Sequence, residues 1–227
     1  MESIIWLDIL KADMTKISNA DAIKYWCSSS DNLIPYFDYR LEHVKQVERD
    51  AMTLHNIIGG DKEIILASVW IHDRFKFEPG DHNEKGGEWA TENLEKLGFP
   101  REKISDVSYC VRVHSGWQIN DIQTTEAKIL WDADKLAHFG PIEFFNKIIR
   151  LTSKEVYEYY MGIGESDGII SIENYLPALS RSKGSTDLVT HPQLDEWFYF
   201  QETKDIAVQR INAVTIFVEA LENHFSG

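Results

Sequence analysis

The sequence predicts an all-α protein, and three observations carry that prediction. Apolar residues recur at helical rather than alternating spacing. No Asn-Gly or Asp-Gly hairpin signal lies between apolar runs. The six prolines, at 35, 79, 100, 141, 177 and 192, leave long proline-free stretches that suit helices.

The elements follow in order. A first pair of helices is expected over Glu2–Asp13 and Asn19–Ser28, with Asn19 or Asp21 as the cap of the second. The next runs from about Tyr36 to Ile58, where Val44, Val47, Ala51, Leu54 and Ile58 form one stripe. Gly59-Gly60-Asp61 separates it from Ile64–Ile71, which is apolar all round except for Ser68. That run is too short to span a bilayer and reads as a buried central helix. A polar loop at 77–81 precedes helices near 83–97, 101–115 and 124–138, with Gly98-Phe99-Pro100 as a stop. Two or three helices broken at Gly162–Gly168 are expected over 139–181, then a polar loop over Ser180–Pro192. A last long helix over about 193–224 is interrupted near Phe200–Thr203. One all-α domain over 1–227 is the economical architecture.

Composition narrows the function. With 227 residues, 43% of them apolar, the chain can fill a substantial core, which excludes disorder as its main state. Thirty-seven acids against 23 bases give a net charge of −14, a poor match for nucleic acid or an anionic membrane surface. Cys27 and Cys110 have neither metal-pair spacing nor a disulfide framework, which points to a reducing cytoplasm.

Chemistry concentrates in a few polar residues on apolar helices. His72-Asp73 ends the most apolar helix of the chain, where an imidazole and a carboxylate are costly to desolvate unless a cation pairs with them. His43 borders the Val47/Leu54 face, and His114 follows Cys110 by four and Val111 by three. Asp134 follows Leu130 by four and Ala127 by seven, so it faces inward, whereas Asp132 turns towards Lys128 and Lys135. Imidazole and carboxylate without cysteine suit a first-row divalent ion and not a structural zinc site. Glu84 and Glu88 read as surface acids.

The order His43, His72-Asp73, Asp134 resembles the His…His-Asp…Asp signature of the HD-domain superfamily of metal-dependent phosphohydrolases. The local strings are similar too: "LEHVKQVERDA", "ILASVWIHD", "HNEKGGEWATENLEKLGF", "VRVHS", "EAKILWDADKLAHFGP" and, near the C-terminus, "ETKDIAVQR". The resemblance implies an HD-like helical core at about 36–150 and metal ligation by His43, His72, Asp73 and Asp134. It implies a hydrolase whose divalent ion (Mn, Co, Ni, Mg or Fe) activates water against a phosphate ester or anhydride of a small molecule, a nucleotide in the first instance. Asp73 would also orient the water, with Arg74 and Lys76 on the phosphate. The "HDRFKF" string departs from the better-known His-Asp-small-Gly pattern, so it names no substrate. His82 and His114 correspond to positions that hold a second metal or a substrate phosphate in other branches. Two rival readings stay open: a binuclear iron oxygenase of HD type, and a non-catalytic ligand-binding module. Arg181 and Lys183 are candidates for a lid, and Trp197–Phe200 for a dimer contact or core. Either a monomer or a homodimer is compatible with the sequence.

Overall fold

A computed structural model describes residues 5–26, 38–116, 119, 121–151 and 194–225. Among these residues every regular element is helical: α1 (Ile5–Trp26), α2 (Tyr39–Ile58), α3 (Lys62–Ile71), α4 (His82–Asn93), α5 (Ile104–Val113), α6 (Thr125–Leu136), α7 (Pro141–Leu151), α8 (Leu194–Trp197) and α9 (Gln201–Phe225). Short 3-10 turns at Glu95–Leu97 and Arg101–Lys103 link α4 to α5. Among the described residues no helix is long and apolar enough to cross a membrane. The expected breaks at 162–168, the loop over 180–192 and the lid candidates Arg181 and Lys183 lie outside the described residues.

The chain divides into two compact units, Met1–Ala137 with Glu196–Thr203, and His138–Asp195 with Lys204–Gly227. The first holds α1 to α6. Its centre is α3, where all eight residues Ile64–Ile71 are buried, Ser68 included, as a helix apolar on nearly every side requires. Asp61 caps α3 by accepting from the Glu63 and Ile64 amides at 2.9 and 3.3 Å. Asp38, Asp81 and Thr124 cap α2, α4 and α6 in the same way. In the second unit, Phe144, Phe145 and Phe217 form one ring cluster.

The N-terminal expectation is corrected. Ile5–Trp26 is one helix rather than two, with Asn19 and Asp21 in its interior instead of at a cap. No glycine or proline interrupts 13–19, and Leu10, Met14, Ser18 and Ala22 continue one buried stripe at spacings of four. The helices expected at 83–97 and 101–115 are shorter, because their ends tighten into the 3-10 turns.

α4 and α5 pack closely at Gly86. A Cβ there would meet Val111 Cγ1 at 2.7 Å, whereas at Gly87 it would meet the movable Arg112 side chain at 2.6 Å. Gly86→Ala is expected to cost up to about 2 kcal/mol, overpacking of roughly 1–3 less a helix-propensity gain near 1. Gly87→Ala is expected to be nearly neutral. Urea unfolding of the two variants side by side checks the contrast.

Candidate metal centre

Five helices of the first unit deliver the ligand candidates. His43 lies on the buried face of α2, His72-Asp73 follows the last turn of α3, His82 opens α4, His114 closes α5, and Asp134 sits late in α6. The imidazoles form a row, with ring centroids 5.7 Å apart from His43 to His72, 5.1 Å from His72 to His114 and 5.4 Å from His114 to His82.

Two groups of ligand atoms result, His43/His72/Asp134 and Asp73/His82/His114, each with its atoms within 4.8 Å of one another. Asp73 is a member of the second group, and its other oxygen faces the histidines of the first. Its Oδ2 lies 3.9 Å from His43 Nε2 and 3.8 Å from His72 Nε2. Its Oδ1 lies 3.7 Å from His82 Nε2 and 3.8 Å from His114 Nε2. Asp134 Oδ1 stands 3.1 Å from His43 Nε2 and 3.9 Å from His72 Nε2.

These residues fit a divalent cation. His72 Nδ1 donates to the Val69 carbonyl at 2.7 Å, which leaves Nε2 as the face turned to the carboxylates. That Nε2 is buried without a hydrogen-bond partner, as is His82 Nε2. Burial pulls the His72 imidazole down to about 4, against the opposing pull of Asp73. Burial alone would raise the Asp73 carboxyl, but His72 and Lys76 hold it well below the usual carboxylate range. Asp134 is likewise held low, against its own burial, by Lys135 and His43. A neutral imidazole nitrogen facing ionised carboxylates at about 4 Å presents acceptors to acceptors, an arrangement that a bound cation resolves.

The other expected site residues divide. Lys76 Nζ pairs with Asp73 Oδ1 at 3.2 Å. Arg74 is held elsewhere: it pairs with Asp13 of α1 at 2.7 Å and lies 4.0 Å over the Trp89 ring. Glu84 pairs with Arg112 at 2.8 Å and Glu88 is exposed, both in keeping with surface roles.

Three residues escaped the sequence reading. Lys135 is buried, pairs with Asp134 Oδ2 at 2.9 Å, donates to the His114 carbonyl and lies 4.0 Å over the Trp131 ring. It therefore ties one ligand group to the other. Arg40 is buried, pairs with Asp21, donates to the Arg74 carbonyl at 3.2 Å and stacks 4.5 Å over Phe77, which fixes the turn carrying Lys76. Asp132 corrects the helical-wheel expectation: it is fully buried and accepts from the Tyr199 and Phe200 amides at 2.8 and 3.0 Å. Trp131 Nε1 donates to the Trp197 carbonyl at 2.8 Å beside it. Phe198 is buried, so the centre of the aromatic cluster at 197–200 is core. A lysine directly after an inward aspartate was the available signal for Lys135, whereas Asp132 had none.

Comparisons with known proteins come from two directions. A family model, HD domain, matches residues 40–138. None of the curated proteins matches the sequence. The fold is similar to a predicted HD superfamily hydrolase from an uncultured Thermotogales bacterium (18% identity, TM-score 0.55), covering 94% of this chain and 92% of that one. It is similar to an HD-superfamily hydrolase from Bacillus thuringiensis (17%, TM-score 0.54, 98% and 99% covered). A third likeness is Bacillus subtilis YpgQ, solved in complex with ADP (14%, TM-score 0.57, 97% of each chain covered). At these identities the likenesses establish the fold, and the family-model match spans the helices that carry the histidines. Residues 40–138 match the HD-domain model, in keeping with the resemblance to the HD-domain superfamily read from the sequence, and the fold is that of the HD-superfamily structures.

Proposed function

We propose that the protein is a metal-dependent phosphohydrolase that cleaves a phosphate ester or anhydride of a small molecule, a nucleotide, by attack of water on phosphorus. The observation that carries this reading is the convergence of His43, His72, Asp73 and Asp134 around the buried, partnerless Nε2 of His72. These four residues would hold one divalent ion, which supplies Lewis acidity and positive charge for water and a phosphoryl oxygen. Val69 and Lys135 keep His72 and Asp134 turned to it through the contacts at 2.7 and 2.9 Å.

The chain's own groups do the rest. The Asp73 carboxylate is the base within reach of a water in the site and orients it. The Lys76 ammonium, 46% exposed, sets positive charge at the mouth of a protein whose net charge is −14. It balances Asp73 and a phosphate oxygen together. His114 and His82 stand behind it as further phosphate contacts. Arg74 supports the turn through Asp13. The nucleotide class is supported by the ADP in the Bacillus subtilis neighbour.

The test is release of phosphate or pyrophosphate from a panel of nucleoside mono-, di- and triphosphates. Protein stripped with chelator and reloaded with Mn2+, Co2+, Ni2+, Mg2+ or Fe2+ is expected to turn over at least one of them, and chelator is expected to stop it. No release with any ion would overturn the reading in favour of a binding module. The second ligand group, Asp73/His82/His114, favours one alternative, a two-iron oxygenase. That alternative requires two irons per chain and oxygen consumption.

A further inference from the structure

The two oxygens of Asp134 are divided between two tasks. Oδ1 faces His43 Nε2 at 3.1 Å and His72 Nε2 at 3.9 Å. Oδ2 is taken by the Lys135 ammonium at 2.9 Å, a charge-assisted bond from a buried side chain.

Every direction of that ammonium is used. An ammonium has three donors. One goes to Asp134 Oδ2 and one to the His114 carbonyl, and the remaining face lies 4.0 Å over the Trp131 ring. The ring is itself fixed. Trp131 Nε1 donates to the Trp197 carbonyl at 2.8 Å, and a Cβ at Gly116 would meet ring atom Cη2 at 3.2 Å. The His114 carbonyl stands at the C-terminal cap of α5, where the helix supplies no amide, and Lys135 fills that need. The lysine is therefore anchored from three sides, and it anchors Asp134 in turn.

Single-oxygen ligation narrows the choice of ion. Asp73 likewise turns Oδ2 to His43 and His72 and keeps Oδ1 on the side of His82 and His114. The centre at His43 and His72 thus offers two imidazole nitrogens and one oxygen from each acid. That set suits a first-row divalent ion with positions left for water and a phosphoryl oxygen. Calcium takes roughly six to eight oxygens and commonly both oxygens of a carboxylate.

We propose that Lys135 is a positioning residue that holds Asp134 to a single metal-facing oxygen and thereby makes the centre discriminate against calcium. This rests on the metal reading above and deepens it. Loss of the ammonium frees Oδ2 to turn to the ion, which favours calcium more than manganese.

Competitive Mn2+ and Ca2+ titration of the chelator-stripped full-length protein, by calorimetry, tests this without a substrate. Lys135→Met keeps much of the chain and removes the charge, and is expected to narrow the preference for Mn2+ over Ca2+ by about tenfold or more. Lys135→Arg keeps a charged donor for Oδ2 and is expected to hold the wild-type preference within about threefold. Circular dichroism checks that each variant is folded. Equal weakening of both ions in Lys135→Met, with the preference unchanged, would reduce Lys135 to a structural role and overturn the proposal. A wild-type crystal soaked in Mn2+ gives a check that needs no variant: one Asp134 oxygen is expected on the ion and the other on Lys135, and both oxygens on the ion would overturn the proposal. Wild-type protein that binds no Mn2+ would overturn the metal reading itself.

Discussion

Asp73→Ala is expected to weaken divalent-ion binding by more than about 100-fold and to abolish turnover, while the helical signal is kept. Loss of outer-shell partners of metal ligands already costs roughly 10–100-fold, and Asp73 is closer to the chemistry than those. Its two oxygens face all four histidines of the row at 3.7 to 3.9 Å. No neighbouring acid can replace both contacts, because Asp134 turns Oδ1 to His43 and His72 and is tied at Oδ2 by Lys135. The Lys76 ammonium also loses its 3.2 Å partner, which leaves positive charge beside the imidazoles. Calorimetric Mn2+ titration with a parallel phosphate-release assay checks the expectation. Affinity within tenfold of wild type would mean that Asp73 is no ligand.

Asp132→Ala is expected to destabilise the fold by roughly 2–4 kcal/mol, about 5–10 °C in melting temperature. The carboxylate is fully buried and accepts two backbone amides, those of Tyr199 and Phe200. Alanine leaves both donors unpaired where water enters poorly, and a cavity beside Trp131. Asp132→Asn keeps one acceptor and turns an amide N–H towards the other donor, so it is expected to recover only part of the loss. Urea unfolding of both variants is the check, and a loss below about 1 kcal/mol in Asp132→Ala would show that residues 197–200 are held by packing alone.

The candidate ligand residues are visible in the sequence because each announces itself locally. His72-Asp73 interrupts the end of an otherwise apolar helix, and His43, His114 and Asp134 fall on helical stripes of buried residues. Periodicity reads that kind of feature directly. Asp132 was illegible for the opposite reason. Its partners lie 67 and 68 residues away, and no helical wheel contains them. Arg40 and Lys135 look like surface cations in the sequence and are buried only because α1, the turn after α3 and the end of α5 close over them. The N-terminal helix shows a further limit. Asn19 and Asp21 have cap chemistry, but Met14, Ser18 and Ala22 continue the buried stripe past them, and packing outweighs a cap worth about 1 kcal/mol.

One divalent ion is expected to be held by His43, His72, Asp73 and Asp134. The most direct test is anomalous diffraction from a crystal of the full chain soaked in Mn2+ and collected near the manganese edge. One strong peak per chain is expected, in contact with His43, His72 and Asp134 and with Asp73 through Oδ2, with Lys76 on the other oxygen. A difference map without a peak among these residues, or with its strongest peak elsewhere on the chain, would contradict it.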